Sequence, residues 1–338
     1  MEKPLDEQQL MSLGAAFEQA EMWPRAAQIY DLLLESQPTH PLAMARRILV
    51  AGRQGDFETA LRIGARVSGA WCDAANTLAA AGRADQAAAL LRRAIEIDPN
   101  LVLYEGLAGI ELPGPSYYQH LAWLHEALQP RTYLEIGVWY GQTLALARPP
   151  TLSIAVDPEP KSPLPAFATE TRVFTATSDA FFAESLWTHA VGPRRFDLSF
   201  IDGLHRFEQV LRDFINVERH STPDSVVVFH DTLPLVPLAA EREIGALFWC
   251  GDVWKILPCL EHFRPDLRIV TIPTAPSGLT VVTGLDPASL VLAERFDEAV
   301  ARFGQAPYAM VEARLSGMRG AQQNRRETLI EAIGRVRR

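Results

Sequence analysis

The chain has 338 residues, 48% of them hydrophobic and 22% charged, with a formal net charge of -9. That composition is ordinary for a folded protein of two or three domains. The acidic balance lacks the cationic surface that phosphate neutralisation requires, which argues against a nucleic-acid or anionic-membrane partner and favours small-molecule chemistry.

Residues 1–100 are rich in alanine and in apolar positions at helical spacing, and they break at the polar turns "EMWPRA", "SQPTHP", "GRQGDF" and "AGRADQ". Helical hairpins are expected. Laying "AAQIYDLLLESQP" over "AAALLRRAIEIDP" aligns Ala27 with Ala88, Tyr30 with Leu91, Leu34 with Ile95 and Pro38 with Pro99, and Ala60 is the matching small residue between them. The region resembles degenerate tetratricopeptide repeats, whose period is about 34 residues. Three stacked hairpins are about the minimum for a stable solenoid. Either a peptide-binding groove for a protein partner or a plain helical cap fits this all-α domain of residues 1–100.

From residue 101 to 285 a second domain is expected, in which strands alternate with helices from about residue 116. "RTYLEIGV", "LSIAVD", "RVFTAT" (172–177), "FDLSFID" and "DSVVVFHD" are short apolar runs rich in β-branched and aromatic residues. Phe207, Val210, Leu211, Phe214 and Ile215 recur at three- and four-residue intervals and line one face of a crossover helix. Strand, helix, strand order implies a parallel sheet covered on both faces. "LRIVTIP" and "LTVVTGL" flank "TAPSG", which suits a closing antiparallel hairpin. A helical extension follows over 286–338; its residues 314–338 carry seven arginines against two glutamates and suggest a solvated basic helix.

Ligands collect at the carboxyl ends of such strands. The first strand ends in Glu135, Gly137 and Gly141, which is not the G-x-G-x-x-G dinucleotide fingerprint, so hydride transfer is disfavoured. Asp157, twenty residues after Gly137, stands where an acid can accept both hydroxyls of a ribose, and Ser178 or Asp179 follows the third strand near an adenine position. In this order these features resemble the class I S-adenosylmethionine-dependent methyltransferases over roughly residues 116–284. The resemblance implies a Rossmann-like α/β fold, a mostly parallel seven-stranded sheet with a terminal antiparallel hairpin. It also implies that Glu135, Gly137 and Gly141 surround the methionine part of the cofactor, Asp157 the ribose, and Ser178 or Asp179 the adenine.

Asp202 and Asp231 end two strands joined by one crossover, so their carboxylates are expected side by side, where like charges call for a cation. His205 is near enough to act as a base. "FIDGLH" with "VVVFHDT" resembles the metal-dependent small-molecule O-methyltransferases, particularly the macrocin-type branch acting on sugars and macrolides. That implies a divalent metal, Mg2+ or Mn2+, on Asp202 and Asp231, with His205 as base and His230 where that branch has an acidic residue. Trp254, more than Trp249, is a candidate wall for the acceptor, with Asp252 and Lys255 as orienting polar groups.

Three cysteines without a close pair suggest neither disulfides nor a zinc knuckle, and fit a reducing cytoplasm. The opening "MEKPLDEQQL" has no apolar leader core, and no run reaches the ~18 apolar residues that a membrane span needs. The expected activity is O-methylation of a small, sugar-bearing acceptor. A non-catalytic repeat scaffold and a metal-dependent hydrolase built on Asp202, His205, His230 and Asp231 are the alternatives.

Overall fold

The computed structural model describes residues 5–334 apart from 39, 55, 184–185, 193, 247 and 319–322, and some side chains between 41 and 70, that of Ala60 included, fall outside the description. The chain divides into two compact units, residues 1–110 and 111–338. The boundary thus falls about ten residues later than the alanine-rich composition suggests, and residues 286–338 belong to the second unit.

The first unit contains α1 (Glu7–Gln19), α2 (Trp23–Ser36), α3 (Pro41–Gln54), α4 (Phe57–Ala80), α5 (Ala84–Ile97) and α6 (Leu101–Glu111). Asp6 starts α1 with a capping box: its carboxylate accepts the Gln9 N–H at 2.9 Å, and the Gln9 side chain accepts the Asp6 N–H at 3.0 Å. Each helix from α1 to α5 packs against the next in chain order. The positions paired in the sequence, Ala27 with Ala88, Tyr30 with Leu91 and Leu34 with Ile95, are all buried, on α2 and α5 respectively. Both helices end alike, at Gln37 and Asp98, each outside helical geometry (φ -133° and -138°) ahead of a proline. Gly14 lets α1 come close to α2, since a Cβ there would lie 2.6 Å from the Tyr30 ring.

The second unit opens with α7 (Tyr117–Leu128) and contains a seven-stranded sheet: β1 (Thr132–Ile136), β2 (Leu152–Val156), β3 (Glu170–Phe174), β4 (Leu198–Ile201), β5 (Val226–His230), β6 (Arg268–Ile272) and β7 (Leu279–Thr283). Their order is β3-β2-β1-β4-β5-β7-β6, parallel except for β7, which runs antiparallel to both β5 and β6. This is the mixed sheet expected from the alternation and the closing hairpin, in the seven-stranded, Rossmann-like form that the resemblance implies. β1, β2, β4 and β5 are buried throughout, which is why they read as continuous apolar runs rather than alternating ones. β3 ends at Phe174, three residues before the expected Thr177, because Thr177 leaves the strand and its hydroxyl accepts the Ala180 N–H at 3.2 Å at the start of α8 (Ser178–Ala183).

Helix α9 (Leu186–Val191) precedes β4, and α10 (Phe207–Arg219) is the crossover from β4 to β5. Phe207, Val210, Leu211, Phe214 and Val217 on α10 are each at most 2% exposed. Burying each such side chain contributes about 1.5–3 kcal/mol. Helix α11 (Ile256–Phe263) leads into β6, and α12 (Val291–Glu294), α13 (Phe296–Phe303), α14 (Ala309–Met318) and α15 (Arg326–Ile333) follow β7. The basic tail is not a solvated helix on all sides. Leu329, Ala332 and Ile333 of α15 are buried in one cluster with Leu121, Leu124 and Ile272, so the helix closes one face of the sheet. No described helix is long and apolar enough to cross a membrane.

Candidate active site

The carboxyl ends of β1, β2, β4 and β5 lie along one edge of the sheet, where the loops that follow splay apart. The loop after β1 turns at Gly137, whose φ is +87°. The Asp202 N–H donates to the Ile136 carbonyl at 2.8 Å, which ties the end of β4 to that turn. Trp139, at the loop's tip, has φ +49° and is 61% exposed, beside Tyr140 at 49%. At Gly141 (φ +71°) a Cβ would meet Leu164, Pro165 and Phe167, all from the β2–β3 connection, at 3.2–3.3 Å.

Asp157 grips this loop. Its Oδ2 accepts the N–H groups of Val138 (2.7 Å) and Trp139 (3.1 Å), and its Oδ1 accepts that of Glu159 (2.7 Å). A carboxylate has about four acceptor positions, so about one is left for a ligand hydroxyl. Glu135, expected beside the methionine part of the cofactor, is fully buried. Tyr133 donates to one of its oxygens at 2.6 Å and Thr143 to the other at 2.8 Å. Burial pushes its carboxyl up to about 8, against the lowering by those two hydrogen bonds. Glu135 ties β1 to Thr143, beyond the loop.

Ser178 and Asp179 start α8 and meet α10, where the Gln209 amide donates to Ser178 at 3.2 Å, Asp179 at 3.0 Å and Asp213 at 3.1 Å. Asp213 is fully buried, its carboxyl is pushed up to about 6 by that burial, and its Oδ2 is without a partner among the described residues.

Asp202, His205 and Asp231 come together as the sequence suggests. β4 and β5 are neighbours, so the residues that follow them emerge side by side. His205 Nε2 lies 3.4 Å from Asp202 Oδ1 and 3.3 Å from Asp231 Oδ2. One donor atom from each of the three residues lies within 4.8 Å of the other two. The imidazole grouped with the carboxylates is thus His205. His230 flanks them, with Nδ1 3.3 Å from Asp202 Oδ1 and 3.4 Å from Asp231 Oδ1, while its Nε2 is buried and unpartnered among the described residues. Asp231 holds a left-handed backbone (φ +57°), a cost that aspartate tolerates better than most residues.

The electrostatics are mutual. Burial disfavours the charged imidazole of His205, but the Asp231 and Asp202 carboxylates outweigh it and raise the group to about 9. Burial likewise opposes charge on His230, and the same carboxylates raise it well above its ordinary value. Both aspartates are pushed up by burial and held low overall by the facing imidazoles.

Two contributors escape the sequence reading, and a third, Trp249, is the lesser of its two wall candidates. Ser277, in the β6–β7 turn, donates to Asp231 Oδ1; the Tyr117 ring sits 4.3 Å from that of His230; and Trp249 stacks on His205. The only local signal was the pair of tryptophans, and it favoured the other one: Trp254 is 4% exposed and belongs to the interior. Asp252 and Lys255 are likewise internal, paired at 3.0 Å, with Asp252 fully buried.

Among curated proteins none matches the chain. Among solved structures, the O-methyltransferase TomG from Streptomyces achromogenes, involved in tomaymycin synthesis and in complex with SAM, is similar at 18% identity and a TM-score of 0.39, covering 53% of this chain and 86% of its own. An O-methyltransferase from Bacillus cereus in complex with SAH is similar at 15% identity and 0.36, covering 52% and 86%. MycE methyltransferase from the mycinamycin biosynthetic pathway, in complex with Mg, SAH and mycinamycin VI, is similar at 19% identity and 0.35, covering 51% and 49%. Similarity at this level leaves the reaction to be argued from the chain's own residues. A family model described as a methyltransferase domain matches residues 134–232, the stretch that begins inside β1, ends beside Asp231 and contains every strand-end residue described above.

Proposed function

We propose that the second unit is an S-adenosylmethionine-dependent methyltransferase acting on a hydroxyl of a small, sugar-bearing acceptor. The observation that carries the reading is the meeting of Asp202, His205 and Asp231 at two adjacent strand ends, next to the Asp157-braced loop of a segment that matches a methyltransferase domain.

The residues present suit an adenosyl donor. Asp157 keeps about one acceptor position for a ribose hydroxyl, and Ser178 or Asp179 at the start of α8 suits an exocyclic amine. Gly137 and Gly141 keep side chains off the face of the loop. Glu135 acts behind that loop, through Thr143. S-adenosylmethionine supplies an already activated methyl group, so placing the two reactants in line is the main task left to the protein.

The Asp202 and Asp231 carboxylates also suit a divalent cation, and the His230 imidazole beside them, 3.3 Å from Asp202 Oδ1, would favour Mn2+ over Mg2+ because imidazole is a poorer ligand for magnesium. Asp202 and Asp231 would hold it, with His230 at their flank, and the cation would acidify and orient an acceptor hydroxyl. His205 would take the hydroxyl proton at Nε2 in its neutral form, which a cation on Asp202 and Asp231 would favour by competing for the carboxylates that otherwise hold the imidazolium. The exposed Trp139 and Tyr140 at the rim provide flat faces for an acceptor ring.

Calorimetric titration with S-adenosylhomocysteine, with and without Mn2+ or Mg2+, tests the reading. Saturable binding is expected; no heat with either cofactor form or metal would end it. Binding without turnover on any hydroxylated acceptor would instead favour a scaffold in which the helical unit engages a protein partner.

A further inference from the structure

The segment Trp249–Asp252 has no part in the reaction as described, yet it encloses His205 from three directions. A backbone carbonyl can only accept a hydrogen bond, so the 3.2 Å contact between His205 Nδ1 and the Trp249 carbonyl requires the proton on Nδ1. Nε2 is then left as the atom that faces Asp202 and Asp231, at 3.4 and 3.3 Å. The Trp249 ring stacks on the imidazole, with centroids 5.2 Å apart and planes 29° from parallel, which blocks rotation about the Cβ–Cγ bond. The indole is itself anchored, since its Nε1–H donates to the Glu241 carbonyl at 2.6 Å.

The backbone of the same segment holds the backbone of His205. The Asp252 N–H donates to the His205 carbonyl at 3.2 Å, and the buried Asp252 carboxylate accepts the Phe207 N–H at 2.6 Å, two residues after His205. Lys255 at 3.0 Å and Arg242 at 3.3 Å neutralise that carboxylate. Gly251 makes the approach possible: its φ is +63°, and a Cβ there would lie 1.9 Å from the His205 carbonyl oxygen. The Cys250 N–H, bonded to the Ala239 carbonyl at 2.8 Å, fixes the segment on its other side.

We propose that Trp249 is the positioning residue for His205. Its carbonyl selects the Nδ1–H form and its indole fixes the ring plane, while Gly251 and Asp252 lock the backbone beneath, so that Nε2 is aimed between Asp202 and Asp231. The proposal rests on the reading of His205 as the base, because a group that moves a proton needs one nitrogen reserved and the other directed.

The test is nuclear magnetic resonance of the full-length protein labelled with 15N-histidine. A slowly exchanging Nδ1–H resonance, assigned to His205 by its loss in His205→Gln, is expected in the wild type. Trp249→Ala should broaden it through rotation of the freed ring and raise its solvent-exchange rate by about tenfold or more, whereas Trp249→Phe, which keeps a ring over the imidazole, should restore it. Thermal unfolding of each variant identifies loss of fold, in which case Trp249→Leu replaces Trp249→Ala. Absence of the resonance in the wild type overturns the proposal, and so does its persistence unchanged in a folded Trp249→Ala protein. Titration of the same samples with S-adenosylhomocysteine keeps the two readings apart. A resonance that behaves as expected in a protein that binds no S-adenosylhomocysteine would end the methyltransferase reading and leave the positioning of His205 standing.

Discussion

Gly137 and Asp202 touch backbone to backbone: a Cβ on Gly137 would lie 2.0 Å from the Asp202 carbonyl oxygen. With φ at +87° the position is also one that side chains rarely adopt. The first crevice, after β1, and the second, after β4, are therefore joined at a point without room for a methyl group. Gly137→Ala is expected to lower stability by about 1–3 kcal/mol and to weaken S-adenosylhomocysteine binding, because the loop must lift off Asp202. Denaturant unfolding and calorimetry measure both, and wild-type values in each would show the contact to be dispensable.

Asp157→Asn separates charge and acceptor capacity from shape. An asparagine has one carbonyl oxygen, whereas Asp157 uses both oxygens for three N–H groups. Its amide nitrogen would have to face N–H donors on one side. Asn should therefore be nearly as damaging as Ala, each costing about 1.5–3 kcal/mol and loosening the Val138–Trp139 turn, with S-adenosylhomocysteine affinity down by about tenfold or more. If Asn binds like the wild type, the loop does not depend on this carboxylate.

Much of the site was legible because strand-end position is a local property. Asp157, Asp202 and Asp231 each close a short apolar run, and a single crossover helix between the last two makes their strands neighbours. Glu135 was harder to place, since in a strand buried on both faces no alternation shows which way a side chain points. Its environment is set by Tyr133, two residues earlier on the same face, and by Thr143 beyond the turn. Trp249 and Ser277 lie 44 and 46 residues from the groups they contact, so only the folded chain brings them to His205 and Asp231. The burial of α15 was masked by the arginines on either side of it in the sequence. Composition averages over a helix whose two faces have different fates.

Arg264 and Glu218 form a buried pair, with both Glu218 oxygens accepting from one guanidinium nitrogen at 2.7 and 2.8 Å, and each side chain 5% exposed or less. Glu218 also accepts the Asp286 N–H at 3.1 Å, so the pair joins α10, the end of α11 and the exit from β7. Arg264→Met leaves an uncompensated buried carboxylate and should cost about 3–5 kcal/mol. Adding Glu218→Gln to it should recover part of that loss, because the stranded charge is removed. Guanidinium unfolding of the single and double variants checks this, and equal stability in the two would contradict it.

Glu135 makes the native state sensitive to alkali. Its ordinary value is near 4.5, and burial raises it to about 8 in the fold, with the Asp202 carboxylate adding to the rise and the bonds from Tyr133 and Thr143 opposing it. Between those values the folded protein keeps a proton that the unfolded chain has released. Stability contributed by this group is therefore complete below about pH 4.5, falls as pH rises toward about 8, and is constant beyond that. Glu135→Gln has the same shape, can accept from one hydroxyl and donate to the other, and carries no ionisable proton. It should remove this downward slope, so that the variant gains on the wild type as the buffer moves from pH 5 to pH 8.5, while the two stay close at pH 4.5. Urea unfolding across that range measures the difference at each pH. Parallel stability curves for the two proteins would mean that Glu135 is already ionised in the native state, and that the Tyr133 and Thr143 hydroxyls compensate a buried charge instead of a neutral acid.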